Sequence, residues 1–363
     1  MSPEDPLAGP VLVVGAGLLG TSIGLALRRA GIDVALDDVN PEHLRTASGL
    51  GAANLRAAEL GEYGGPRLVV VAVPPDHLGE QLVQALESTA AVVTDVGSVK
   101  VAPLRSVAER VPAGTLARYV GGHPMAGSER SGPLAASAAL FDGRPWAVAP
   151  HQDADPDAVR TVTALATACG ASPVQLTPAE HDAAVARTSH LPHLLAALVA
   201  GRMSDAPREH LALSGQGVRD VTRIAAGDPA LWRQIVDANS EALGVLLRAV
   251  RDDVDTLVSA LDRGDREAVG GLLERGVAGT AAIPGKHGGP AAPETSVLVS
   301  VPDHPGELAR LFGDVGEIGV NIEDVRIDHD PARPVGLVEL FVAAGEVEHL
   351  LASLADREWT AHR

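Results

Sequence analysis

The chain has 363 residues, 46% of them hydrophobic, and a formal charge of -18 at pH 7. That length supports two or three domains with sizeable cores, and the acidic balance excludes a nucleic-acid partner, since no segment supplies the basic stripe that phosphates need. The lone cysteine, Cys169, excludes an internal disulfide framework and points to a cytoplasmic setting; apolar runs such as LVVVAV at 68–73 fall far short of a membrane span.

The first 177 residues alternate short Val-rich runs with amphipathic stretches, predicting repeated strand-helix units and a parallel, doubly wound α/β sheet. The strand candidates are 11–14, 34–36, 68–73, 92–94, 119–120, 146–149 and 174–176. Gly15, Gly17 and Gly20 follow the first strand and open a helix, so bare amides around Leu18 and Leu19 can meet a pyrophosphate. The second strand ends in Asp37 and Asp38, at the offset where an acid meets the adenosine ribose, and Asp38 is the better candidate. No arginine adjoins it, which favours NAD over NADP. The loops VAVPPDH, with Val73 and Pro74, and TDVGSVK, with Gly97 and Ser98, lie at strand carboxyl ends and should flank cofactor and substrate. Ser98 also suits a helix N-cap.

GGHPMAGSERSG, 121–132, reads as a tight loop that holds His123 over a pocket, with Ser128 and Glu129 along its edge. An imidazole with a pKa near ~6.5 can accept a hydroxyl proton while hydride leaves the same carbon. From Pro178 to about Ile283 the pattern is all helical, with long segments at 178–203 and 229–261 and a helix start at Asp228-Pro229 that puts Trp232 on the first turn. His190 and His193 are three apart, but no carboxylate or cysteine completes a metal set, so no metal is expected; a surface position suits His190. Asp220 and Arg223 share a helical face, either as a solvated ion pair or as a carboxylate-held guanidinium that clamps a substrate carboxylate. Lys100, Arg130 and Arg219 are further cations for an anionic pocket.

A Gly/Pro/Ala-rich linker, 285–294, precedes a small α+β module, 295–363, with strands at 296–301 and 336–342 around a glycine-stopped helix.

Taken together, GAGLLGTS, DVN, DVGSVK, GGHPMAGSERSG, SHLPH and RDVTRIAAGDPALW resemble the prephenate dehydrogenase family over most of the chain, in that family's order. The resemblance implies a Rossmann-type domain (1–177), a helical dimerisation and substrate domain (178–284) with Trp232 near the interface of a homodimer, and oxidative decarboxylation of prephenate, or of its amino analogue arogenate. It gives His123 the role of proton acceptor, with Ser98 hydrogen-bonded at the same site, Arg223 that of carboxylate binder, and His193 a place in the substrate pocket. Ser128, Glu129 and Asp220 fall in a polar network at the pocket mouth. Two departures are mild: Val96 stands where relatives often have glutamine, and Arg219 where a lysine is sometimes seen. The tail resembles an ACT (ferredoxin-like) module, whose effector loop matches Asp303, Pro305, Gly306, Leu308, Asn321 and Ile322. An amino acid, tyrosine foremost, is the effector this implies. The rivals are a β-hydroxyacid dehydrogenase or imine reductase, which would use a lysine or aspartate acid on the helical domain, and an amino-acid sensor with a disused dinucleotide fold.

Overall fold

The structure, a computed structural model, describes residues 6–127, 131–283, 294–329 and 335–363. Strands β1 (Val11–Val14), β2 (Val34–Asp37), β3 (Leu55–Arg56), β4 (Leu68–Val71) and β5 (Val92–Asp95) form a parallel sheet in the order β3-β2-β1-β4-β5. Helices α1 (Leu18–Arg29), α2 (Pro41–Gly49) and α3 (Pro75–Ser88) make the crossovers. The chain leaves β1 for β2 on one side and β4 joins on the other, so a crevice opens at the carboxyl ends of β1 and β4. β4 is buried along its whole length, the mark of a strand covered on both faces. One covering layer contains Trp146, Val162 and Leu165, the other Leu82, Leu86 and Tyr119.

After α4 (Val101–Ala108) and α5 (Ala113–Leu116), a second sheet departs from the all-parallel expectation. Its strands β6 (Gly121–Pro124), β7 (Pro145–Ala149) and β8 (Ser172–Gln175) run in that order, with β6 antiparallel to β7 and β8 parallel to it; α6 (Pro156–Ala168) connects the last two. Tyr119 contributes only a single bridge to Val93, and the expected loop GGHP is itself the strand. The glycine pair serves close packing, not a turn. A Cβ on Gly121 would lie 2.8 Å from Lys100 Cδ, and one on Gly122 would lie 2.7 Å from the Asp95 carbonyl oxygen.

The helical region comprises α7 (Pro178–Val185), a π-helical turn (Ala186–His190), α8 (Leu191–Gly201), α9 (Arg208–Leu211), α10 (Gln216–Ile224), α11 (Pro229–Ala238), α12 (Ser240–Arg263) and α13 (Arg266–Ala281). A reciprocal Thr177/Glu180 capping box opens α7, and the Asp228 carboxylate accepts from Ala230 N at 2.8 Å with Pro229 in the first turn. Both long segments are interrupted, at the π turn and at Asn239. The extra residue of the π turn rotates His190 inward to 1% exposure, correcting its surface placement.

The tail runs β9 (Glu294–Pro302), α14 (Glu307–Ile318), β10 (Asp324–His329), β11 (Val335–Ala343), α15 (Val347–Asp356) and β12 (Thr360–His362), an antiparallel sheet in the order β10-β11-β9-β12. It has its own core of Val297, Val299, Leu311, Val338, Leu340, Leu350 and Trp359, and Gly319 stops α14 at φ 82°. Compactness divides the chain into Met1–Arg251 and Asp252–Arg363, a coarser partition than three domains, with the cut inside α12. The first unit includes early helices of the helical region because α7 packs on α4 and β7, and α11 on α3. Among the described residues no helix is long and apolar enough to cross a membrane.

Candidate active site

The turn from β1 into α1 forms a bare cradle. Gly15 has φ 103°, and a Cβ there would lie 2.3 Å from the Ala72 carbonyl oxygen; one on Gly20 would lie 1.8 Å from that of Gly15. Gly17, by contrast, has nothing within 4 Å of an added Cβ, and no side chain caps the helix it opens. The open amides of this first turn and the empty space over Gly17 fit a dinucleotide pyrophosphate. Leu18 and Leu19 are half-buried in the same turn; Asp38 stands beside it, accepting from Ala16 N at 2.5 Å and Asn40 N at 2.7 Å. Val73 and the exposed Pro74 leave the end of β4, and Pro74 caps α3.

Next along this edge is a buried polar network. His123, on β6 and half-buried, has Nδ1 2.9 Å from Nε2 of His181. His181 Nδ1 is 2.8 Å from Asp182 Oδ1, and the Asp182 carboxylate also accepts the amides of Lys100 (2.7 Å) and Val101 (2.9 Å), so it caps α4 from another helix. The Asn239 amide donates to the Asp182 carbonyl and lies 3.1 Å from His190 Nδ1. Burial, then the Lys100 ammonium and the rings of His181 and His190, hold the His123 imidazole well below the usual histidine range. His190 is pushed down to about 4, chiefly by burial.

Lys100, offered by the sequence as a cation for an anionic ligand, is fully buried and unavailable for that task. Its ammonium bonds Asp95 and donates to the Gly122 carbonyl at 2.7 Å, while the Tyr119 hydroxyl donates to the other Asp95 oxygen at 2.7 Å. Burial lowers the Lys100 ammonium and Asp95 opposes that. Its stem passes where Gly121 lacks a side chain. Ser98 does not cap α4, whose N-cap is Lys100; it lines a cleft with Gly97, Pro75 and Ile235. Among the described residues no hydrogen bond joins Ser98 to His123, whose Nδ1 faces His181.

A second cleft is lined by Gly127, Ser189, His193, Arg223, Gly227 and Trp232. His193 is buried and stacks flat on the Trp232 indole. Burial lowers its imidazole, opposed by a hydrogen bond to the Ile224 backbone. Arg223, exposed in the last turn of α10, lines this cleft free of Asp220, which instead accepts from Gln216 Nε2 at 2.9 Å. The expected Asp220–Arg223 clamp is therefore not formed: the i, i+4 geometry gives Asp220 to Gln216. Ser128, Glu129 and Arg130 lie outside the described residues. Asp303, Pro305 and Gly306 form the β9–α14 turn and Asn321 and Ile322 the α14–β10 turn; Ile322 and Leu308, the latter in the first turn of α14, pack on the core of the tail. His181, Asp182, Asn239, Asp95 and Gly227 went unread in the sequence; Gly227 carried a signal only as part of the GDP turn before Trp232.

A glycine-rich βα turn with an acid at the next strand end, beside a histidine kept neutral at the sheet's carboxyl edge, defines a nicotinamide-dependent oxidoreductase. Residues 23–175 match the prephenate dehydrogenase nucleotide-binding domain and residues 177–275 the prephenate dehydrogenase dimerization domain. The chain belongs to the prephenate dehydrogenase family. It is 37% identical to the probable prephenate dehydrogenase NovF of Streptomyces niveus, over 97% of this chain and 99% of that one. Identity to the prephenate dehydrogenase of Bacillus subtilis is 28%, over 87% of each. The Aquifex aeolicus prephenate dehydrogenase solved with hydroxyphenyl propionate and NAD+ superposes at TM-score 0.66 and 29% identity, covering 75% of this chain and 97% of that one. Synechocystis arogenate dehydrogenase gives 0.65 and 25%, covering 75% and 98%.

Proposed function

We propose that the chain oxidatively decarboxylates prephenate to 4-hydroxyphenylpyruvate in tyrosine biosynthesis, with His123 as the base. NAD+, when bound, supplies the hydride acceptor, and Gly15, Gly17, Leu18, Leu19, Gly20, Asp38, Val73, Pro74 and Ser98 would hold it. His123 takes the proton of the ring hydroxyl as the carbinol C–H bond breaks. The bond to the ring carboxylate then breaks, its electron pair enters the ring, and CO2 leaves; aromatisation makes the step irreversible. Arg223 and His193 bind the substrate from the Trp232 cleft, with Asp220 at its mouth. The observation that carries this reading is the half-buried His123 of β6 at the carboxyl edge, whose imidazole burial and the Lys100 ammonium hold well below the usual histidine range.

Absorbance at 340 nm with NAD+ and either prephenate or arogenate tests the activity and sets the preference. His123→Asn should lower turnover by ~10²- to 10⁴-fold with affinity kept; near-normal turnover would remove His123 from the role.

The tail's βαββαβ order supports an ACT-type module that binds an amino acid, tyrosine foremost, at the turns holding Asp303, Gly306 and Asn321. Inhibition by tyrosine that Asn321→Ala abolishes would establish it. The dimerization-domain match and the exposed Val245, Val258, Leu261, Leu273 and Val277 of α12 and α13 support a homodimer, checked by sedimentation.

A further inference from the structure

We propose that His181 and Asp182 are positioning residues that fix His123 as its Nδ1–H tautomer, so that Nε2 is the bare nitrogen offered to the substrate hydroxyl. The inference rests on the reading of His123 as the base, and its evidence is a chain of donors and acceptors with one consistent direction.

The chain starts at Asp182. An ionised carboxylate only accepts. Its Oδ2 takes the Val101 amide at 2.9 Å; its Oδ1 takes the Lys100 amide at 2.7 Å and faces His181 Nδ1 at 2.8 Å. His181 therefore carries a proton on Nδ1. Asp182 cannot swing away, because both oxygens are tied to the start of α4 and its carbonyl is tied to Asn239 at 2.9 Å. In neutral His181 the other nitrogen, Nε2, is an acceptor, and the atom it meets at 2.9 Å is His123 Nδ1. His123 must then be the donor in that contact. The ring centroids lie 5.1 Å apart with the planes turned by 70°, a twist about its axis that an N–H···N bond tolerates. Without His181 either nitrogen of His123 could hold the proton, and a ring protonated on Nε2 cannot take one from the substrate.

The remaining groups around His123 fit a base that must return its proton. When Nε2 accepts the hydroxyl proton, the ring becomes an imidazolium whose Nδ1–H already points at His181. The Lys100 ammonium faces it and opposes its charge; Asp182 lies beyond His181, and Asp95 is engaged by Lys100 and Tyr119. The same carboxylate caps the helix that follows the Ser98 turn, so one side chain fixes both the base and the loop across from it.

The test uses the full-length protein labelled with 15N-histidine. Long-range proton–nitrogen spectra of the wild type should show His123 protonated on Nδ1 and bare on Nε2, with assignment by His123→Asn. His181→Leu should lose that tautomer and lower kcat on the order of 10²-fold, while KM for prephenate and NAD+ stays within about twofold. His181→Gln, whose amide oxygen can accept from Nδ1, should restore much of both. Asp182→Asn should likewise unfix the tautomer. A merely structural role would alter unfolding midpoints but neither the spectrum nor the split between kcat and KM. Wild-type His123 protonated on Nε2, or His181→Leu with unchanged kcat, overturns the proposal. Should His181→Leu fail to fold, the wild-type spectrum and His181→Gln still decide it. Full turnover in His123→Asn would instead overturn the base assignment, leaving the spectrum to report on the tautomer by itself.

Discussion

The imidazole of His193 lies on the indole of Trp232 with ring centroids 3.5 Å apart and planes 7° from parallel. The stack fits because residue 227 is glycine: a Cβ there would lie 2.4 Å from Trp232 Nε1 and 3.1 Å from His193 Cε1. If this stack orients His193 toward the substrate, Trp232→Ala should raise KM for prephenate roughly 2- to 12-fold, the worth of ~0.5–1.5 kcal/mol of aromatic contact. Trp232→Phe should retain most of the affinity. Steady-state kinetics at 340 nm check both, and an Ala variant with wild-type KM would show the stack to be packing alone.

Arg223 lines the same cleft, and among the described residues no carboxylate pairs with it, which suits its guanidinium to a carboxylate of the substrate. Arg223→Ala should weaken substrate binding by ~1.5–3 kcal/mol, the loss of a charge-assisted hydrogen bond. Arg223→Lys should recover only part, since a lysine cannot bind bidentately. An unaltered KM in the Ala variant would place the substrate carboxylate elsewhere.

The three glycines of the first turn should separate by experiment. Gly15→Ala and Gly20→Ala force a Cβ into backbone carbonyl oxygens, and Gly15 adds a positive φ, so each should destabilise the fold by roughly 1–3 kcal/mol or more. Gly17→Ala meets open space, and should keep the melting temperature while raising KM for NAD+. Thermal unfolding alongside an NAD+ titration distinguishes a packing glycine from a ligand-facing one. Equal losses of stability in all three would remove that distinction.

The strands and the dinucleotide turn were legible because their signals are local: a buried strand reads as a Val run, and a pyrophosphate cradle as glycines at fixed offsets. His123 was legible as a residue but not in its setting. Its glycine pair looks like a turn in sequence, and only the approach of Lys100 shows that the missing side chains make room for a buried lysine. His181 and Asp182 gave no signal, because their meaning comes from contacts 58 and 82 positions away. The Asp220–Arg223 pairing failed for the converse reason: helical spacing permits a contact, and Gln216 offered a competing one.

The Lys100–Asp95 pair is buried on both sides and shares Asp95 with the Tyr119 hydroxyl. Removing one charge leaves the other uncompensated, so Asp95→Asn should cost about 3–5 kcal/mol of stability. Combining it with Lys100→Met should return part of that loss, since the double variant buries no net charge. Chemical denaturation of the four proteins gives the coupling. A loss below about 1 kcal/mol in Asp95→Asn would mean that Lys100 sits uncharged.

Three histidines bear on acid stability. His190 is lowered to about 4, and His123 and His193 are also depressed, all chiefly by burial. In the unfolded chain each titrates near ~6.5. As pH falls through ~6.5 the unfolded chain gains protons that the folded one refuses, so the unfolded state binds more protons and stability drops with pH. The contribution is whole above ~6.5 and is lost progressively toward about 4, where His190 protonates in place. The carboxylates of Asp142, Asp157, Glu59 and Glu180 are lowered by their partners and act below this window. Urea unfolding between pH 7.5 and 5 should therefore show a slope of up to ~1.4 kcal/mol per pH unit for each buried histidine. His190→Asn, whose amide oxygen can still accept from Asn239, should flatten it. Over the same range kcat/KM should fall less with acid than a base titrating near ~6.5 would give, because burial and the Lys100 ammonium hold His123 well below that range. A stability flat from pH 7.5 to 5, or a slope unchanged by His190→Asn, would show that these rings take up protons in the folded protein.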